Sequence, residues 1–319
     1  MERLDLSGFA EKTREIRDCI AQVVVGQQYT VDLILSAILA DGHILLEGVP
    51  GVAKTLMART ISKLIDTQFG RIQFTPDLMP SDVLGTTVFN MKSGDFDFHR
   101  GPVFADIVLV DEINRAPAKT QAALFEVMQE RQVTVDATTY PMNPVFTIIA
   151  TQNPVEQEGT YKLPEAQLDR FVMKINVGYP TPQEELEVLN RHHGNSGFTK
   201  LDQLKPVIKV EELLELRKLT SSVVVEPSLM NYIVQIVQAT RNNRYLFLGA
   251  SPRASVALMQ TAKGMALLQG RDFITPDDIQ RLAYPVLRHR LMLNTEADLE
   301  GMTVEKVIKG IISQIEVPK

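Results

Sequence analysis

The chain has 319 residues, which leaves room for two units, each with its own apolar core. Hydrophobic residues make up 45% and charged residues 23%, a balance that excludes a disordered or fibrous chain. A formal net charge of −6 counts against a broad basic face for nucleic acid, and one cysteine, Cys19, cannot form an internal disulfide.

The first twenty residues, MERLDLSGFAEKTREIRDCI, carry charges every few positions and lack the apolar core and cleavage site of a secretory signal, so a cytoplasmic protein is expected. Val31, Ile34, Leu35, Ile38 and Leu39 follow helical spacing. This apolar run is broken by Asp41, Gly42 and His43, too early to span a bilayer. DGHILLEG then reads as a turn and a short buried strand, followed by a glycine loop and another helix. Further strands are expected at RIQF, DIVLVDE and VFTIIATQN, separated by helical stretches such as TQAALFEVMQE, which is the alternation of a parallel α/β sheet. Two insertions interrupt it, one over residues 81–101 and one over 131–146, the second reading as a hairpin. HHGNSG at 192–197 reads as an exposed linker, and from about residue 200 the pattern is mainly helical. Ser251-Pro252 and Thr275-Pro276 each place a capping hydroxyl before a proline at a helix start.

The segment EGVPGVAKT matches a phosphate-binding loop at every fixed position except Ala53. In such loops successive backbone N–H groups and the helix N-terminus surround the phosphates, so a methyl group is a small intrusion. Alanine is a poor left-handed residue, and right-handed helical dihedrals are therefore expected at position 53. Gly48, Pro50, Gly51, Val52, Ala53, Lys54, Thr55 and Leu56 are the candidate ATP-binding residues, with Lys54 reaching the β and γ phosphates and the Thr55 hydroxyl binding Mg²⁺. DIVLVDE ends an apolar strand in two acids, of which Asp111 suits the metal and Glu112 the attacking water.

EGVPGVAKT, LVDEINRAPAKTQAALFEVMQE, ATQNPVEQEGTYKLPEAQLDRF and SPRAS together resemble the MoxR family of AAA+ ATPases over nearly the whole chain. The resemblance implies an α/β AAA+ P-loop core with a parallel sheet flanked by helices (1–199), followed by a smaller all-α lid domain (200–319). It implies that Asn153 is a sensor beside the γ-phosphate, that Arg170 is an arginine finger offered to a neighbouring subunit, and that Arg253 is a second sensor on the lid. Arg253 also lies in the first turn of a helix, where a cation opposes the helix dipole and favours an anionic partner. Val25 and Gly26 in VVVGQQ resemble the adenine contact. Arg115 is shared with the family without a role that the sequence defines. The insertion at 81–101 corresponds to the helix-2 insert, and 131–146 to the hairpin before the sensor strand. Both are features of a clade that includes magnesium chelatase subunits and MCM helicases, in which they project toward the ring pore or substrate.

The function implied is Mg²⁺-dependent ATP hydrolysis in a homo-oligomeric, hexameric ring that remodels a separate protein with a von Willebrand factor A domain. No nucleic-acid partner and no membrane span are expected. A DNA-directed motor of the MCM-like clade and a non-hydrolysing nucleotide-dependent scaffold stay open as alternatives, the acidic balance weighing against the first and Glu112 against the second. A small-molecule kinase and a chelatase component fit less well.

Overall fold

The computed structural model of the chain describes residues 7–154, 161, 163–193 and 201–318. Two helices, α1 (Ser7–Val23) and α2 (Gln28–Leu39), lead into β1 (His43–Glu47), the glycine loop and α3 (Lys54–Leu64). β2 (Phe69–Gln73), β5 (Ile107–Asp111), β8 (Thr147–Gln152) and β9 (Phe171–Asn176) complete a five-stranded parallel sheet in the order β2-β5-β8-β1-β9. β5 is buried along its whole length and β1 and β8 along all but the last residue, as expected for apolar runs covered by helices on both faces. The edge strand β9 buries only Phe171, Met173 and Ile175, and this weaker alternation is why it escapes a reading of the sequence for continuous apolar runs.

Both insertions contain hairpins. α4 (Pro80–Leu84) precedes β3 (Gly85–Asn90) and β4 (Asp95–Arg100), which pair antiparallel. After α5 (Ala118–Glu130), β6 (Gln132–Val135) and β7 (Thr138–Pro141) are joined by Asp136 and Ala137, both at positive φ. The Thr87 hydroxyl donates to Asp136 Oδ2 at 2.6 Å, and Phe98 stacks on Tyr140 with ring centroids 4.6 Å apart. The two insertions are therefore one joined feature.

α6 (Glu165–Leu168) and α7 (Pro182–His193) flank β9, and α7 carries His192 and His193 to the exposed end of a helix. The rest of the expected 192–197 linker, like part of the motif between Asn153 and Arg170, lies outside the described residues. The C-terminal part holds α8 (Val210–Ser222), α9 (Pro227–Arg241), α10 (Pro252–Leu268), α11 (Pro276–Leu287), α12 (Thr295–Leu299) and α13 (Val304–Gln314). A small antiparallel pair, β10 (Leu246–Leu248) with β11 (Met292–Leu293), interrupts the helices.

This helical part does not close a core of its own, contrary to the expectation from length. Ile34 and Ile38 of α2, Ile61 of α3, Leu258 of α10 and Leu282 of α11 belong to one continuous buried cluster. The two helices can pack this closely because α10 presents Gly264 to α2; a Cβ there would lie 2.5 Å from the Ser36 carbonyl oxygen. A second cluster, including Val108, Phe125, Phe146 and Ile148, fills the other face of the sheet. The starts of α10 and α11 fall at the prolines expected, with different caps. Thr275 accepts from the Asp278 amide in a capping box, whereas the Ser251 hydroxyl donates to Asp169 Oδ2 at 3.2 Å and caps nothing.

Candidate ATP-binding site

The carboxyl ends of the central parallel strands open onto a cleft of about 380 Å³. The loop before α3 and the first turn of α3 supply one wall, from Pro50 to Leu56. Asp111 and Glu112 at the end of β5, and Thr151, Gln152 and Asn153 at the end of β8, supply the other. Residues far apart in sequence thus meet because β1, β5 and β8 are hydrogen-bonded neighbours.

The loop geometry corrects one expectation. Ala53 has φ 61° and ψ 20°, a left-handed conformation, and it immediately precedes the first turn of α3. Gly51 is also at positive φ, 87°. The turn from β1 into α3 closes over few residues, and this requirement overrides the preference of alanine for right-handed dihedrals. Gly48 is needed for a different reason: a Cβ there would lie 2.5 Å from the Val177 carbonyl oxygen, where the chain leaving β9 crosses. Gly48 supplies a carbonyl rather than a wall of the cleft. The Lys54 ammonium donates to that carbonyl and, at 2.9 Å, to the carbonyl of Val49. Burial pushes the Lys54 ammonium down from its ordinary pKa, while Asp111 and Glu112 pull it back up.

The two acids are held differently. Asp111 is buried, accepts from Arg71 Nε at 2.8 Å and from the Thr151 hydroxyl at 3.3 Å. Glu112 sits at φ 56° and ψ 50°, with its amide donating to Thr151 Oγ1 at 3.0 Å. Its carboxylate accepts from Gln73 Nε2 at 2.9 Å and pairs with Arg115 Nε at 3.2 Å. A residue held at positive φ beside a cleft is a common mark of a functional position. Arg115 therefore has a definite place, against Glu112. Arg71 and Gln73 line the same cleft and were not singled out from the sequence. Their signal was present: two polar side chains two positions apart in a strand share one face.

The donor set suits a hard divalent cation, since Thr55 offers a hydroxyl and Asp111 a carboxylate in one cleft that also holds the Lys54 cation. Beside it lies an apolar hollow of about 170 Å³, with Val25, Gln27, Pro180 and Val188 facing Gly51, Val52, Ala53 and Leu56. Gly51, Val52, Ala53 and Leu56 are common to both, so the two spaces adjoin. Val25 thus stands where a flat apolar group would meet the loop, while the neighbouring Gly26 abuts the Glu184 carboxylate.

Arg170 and Arg253 lie away from both the cleft and the hollow. Arg170 Nη1 donates to the Phe125 carbonyl at 2.5 Å. Arg253, with its side chain 62% exposed, is 3.9 Å from Asp169 Oδ2. Asp169 also accepts from Arg290 Nε at 2.7 Å, and Arg290 further donates to the Phe171 carbonyl at 2.7 Å. Arg290, just past α11, is buried and grips the segment that carries Arg170.

Comparison with known proteins supplies the family and the fold. Residues 43–173 match the ATPase family associated with various cellular activities (AAA), and residues 238–311 match an AAA lid domain. Chaperone MoxR1 of Mycobacterium tuberculosis is 44% identical over 94% of this chain and 81% of its own length. The chain belongs to the MoxR family of AAA+ ATPases. The uncharacterised protein YeaC of Bacillus subtilis is 49% identical over 94% of this MoxR-family chain and 92% of its own. A solved structure of a Cytophaga hutchinsonii protein assigned as an ATPase is 46% identical, covers 98% of this chain and 96% of its own, and superposes with a TM-score of 0.90. The parallel sheet flanked by helices and the helical lid are those of an AAA+ protein. Among the described residues no helix is long and apolar enough to cross a membrane.

Proposed function

We propose that this MoxR-family chain hydrolyses ATP with Mg²⁺ at sites shared between subunits of a homo-oligomeric, hexameric ring. The turnover drives chaperone-like remodelling of a separate partner protein carrying a von Willebrand factor A domain, in the cytoplasm. The observation that carries the ATP reading is the convergence of Lys54, Thr55, Asp111, Glu112 and Asn153 on one cleft beside an apolar hollow. The chaperone reading is supported by the likeness to Chaperone MoxR1, and the ring and partner by the family resemblance.

In this reading the amides of Pro50 to Thr55 surround the phosphates and Lys54 moves from the Gly48 and Val49 carbonyls to the β and γ oxygens. Thr55 and Asp111 would hold Mg²⁺, whose chemistry when bound would be to neutralise charge on the phosphate oxygens. Glu112 orients a water for in-line attack on the γ-phosphorus; a P–O bond forms as the bond to the ADP oxygen breaks, and Asn153 fixes the water from the neighbouring strand. Val25 and Gly26 flank the adenine. Arg253 closes with the lid (200–319) over the core (1–199), and Arg170 reaches the γ-phosphate held by the next subunit.

The test is Mg²⁺-dependent turnover per subunit across a wide range of protein concentration. Shared sites require a steep rise with assembly, and constant turnover from monomers refutes them. Lys54→Ala is expected to lose ATP binding and Glu112→Gln to keep it. Arg170→Ala binds ATP but turns over poorly, and mixed rings of Arg170→Ala with Lys54→Ala recover activity. Absence of recovery in rings shown to be mixed rules out action between subunits. Stimulation by DNA that fades with salt would favour the DNA-directed motor.

A further inference from the structure

Strand β2 places Arg71 and Gln73 on one face, and both reach the acids at the end of β5. In the parallel register Arg71 lies opposite Leu109 and Gln73 opposite Asp111. Gln73 donates to Glu112, while the Arg71 guanidinium donates through Nε to Asp111 Oδ2 at 2.8 Å. Asp111 is the only carboxylate assigned above to the metal, and its other oxygen already accepts from Thr151. A divalent cation on Asp111 and a guanidinium on the same oxygen are like charges competing for one acceptor. Arg71 is not locked there, since its side chain is 55% exposed and faces the cleft that Lys54 and Thr55 also line.

We propose that Arg71 exchanges between Asp111 and the nucleotide's phosphates, so that binding of ATP frees Asp111 for the metal. This rests on the reading of the cleft as an ATP and Mg²⁺ site. The guanidinium suits both positions because carboxylate and phosphate oxygens accept from it in the same planar geometry. With Arg71 on Asp111 the protein disfavours metal alone. With Arg71 drawn to a phosphate, two cationic side chains, Arg71 and Lys54, meet the nucleotide and Asp111 becomes available. Metal and nucleotide are then coupled through one side chain, and the coupling is reciprocal.

The experiment measures two affinities on the full chain without turnover. Mn²⁺ binding in the absence of nucleotide is followed by electron paramagnetic resonance, and ATP binding in the presence of EDTA by calorimetry. Arg71→Ala is expected to tighten Mn²⁺ about threefold, the scale of an exposed ion pair. It is expected to weaken ATP without metal about tenfold, the scale of one charge-assisted hydrogen bond. Arg71→Lys, which keeps the charge and loses the fork, falls between wild type and Arg71→Ala in both. Opposite movement of the two constants supports the exchange. Unchanged constants overturn it, and so does a parallel loss of both, which would make Arg71 a support for Asp111 alone. Failure of the wild-type protein to bind ATP with Mg²⁺ would instead overturn the ATP reading itself.

Discussion

The left-handed conformation of Ala53 can be tested by two substitutions whose signs depend on it. At φ 61° and ψ 20° an alanine is strained by about 1–2 kcal/mol relative to a right-handed residue. Ala53→Gly removes that strain, adds roughly 0.5–1 kcal/mol of unfolded-chain entropy, and forfeits part of one methyl packed on the core cluster, about 0.4 kcal/mol. Taking the middle of each range, the net expectation is a gain of about 0.35 kcal/mol. Ala53→Val puts a β-branched side chain in the same region and should cost about 2 kcal/mol or more. Had Ala53 been right-handed, Gly would cost about 1 kcal/mol and Val roughly half that. The assay is urea unfolding of the three proteins side by side, with ATP affinity measured on each. In the proposed ATP site the phosphate ligands at this position are backbone amides, so Ala53→Gly should keep ATP affinity within about twofold, and Ala53→Val should lose it. A glycine variant destabilised by about 1 kcal/mol, together with a near-neutral valine, would refute the assigned backbone geometry.

His43 at the start of β1 is fully buried; its Nδ1 accepts from the Ile148 amide at 3.0 Å and its Nε2 donates to the Met128 carbonyl at 3.1 Å. Burial, with Arg131 and Arg217 nearby, lowers its pKa from 6.5 to about 3. The folded state therefore holds His43 neutral while the unfolded chain takes up a proton below 6.5, so its contribution to stability is full above 6.5 and declines as pH falls toward about 3. At pH 5 the loss should be about 2 kcal/mol, and His43→Gln should unfold with a shallower acid dependence than wild type, measured by urea midpoints between pH 7 and 5. Arg290→Ala leaves Asp169 without its principal cation and the Phe171 carbonyl with His289 Nε2 as its remaining partner, and is expected to cost about 3–5 kcal/mol. A cost under about 1 kcal/mol in urea unfolding would show that Arg290 does not anchor the segment carrying Arg170.

The sequence makes contiguous chemistry legible and leaves long-range pairing hidden. The loop from Gly48 to Thr55 and the Asp111-Glu112 pair are readable because each is a run of residues whose meaning depends on its own neighbours. The strands at DIVLVDE and VFTIIATQN are readable for a related reason, since burial on both faces leaves an apolar run, whereas in RIQF Ile72 and Phe74 alone are buried. Arg71, Gln73, Asp169 and Arg290 act only through partners brought close by the sheet order or the lid, up to 121 positions apart; the shared strand face of Arg71 and Gln73 is a local signal, but it does not name their partners. Ala53 failed in the opposite direction, because a correct local preference yielded to the closure of a loop.

The hidden pairings are also the ones that connect the site to the rest of the molecule. Asp169, the residue immediately before Arg170, is bound by Arg290, Ser251 and, more loosely, Arg253 of the helical lid. Arg290 reaches past it to the backbone of Asp169 and Phe171, so Arg170 is bracketed on both sides by groups that the lid holds. Any rotation of the lid that carries Arg253 away from Asp169 toward a bound anion must either stretch these bonds or move the Arg170 segment with it. The buried position of Arg290 favours the second, because breaking its bonds would strand a charge out of reach of water. Under the proposed function, lid closure over one cleft and the placement of Arg170 would be mechanically linked within a single chain, through the bonds of Arg290 and His289 to Asp169, Phe171 and Val172.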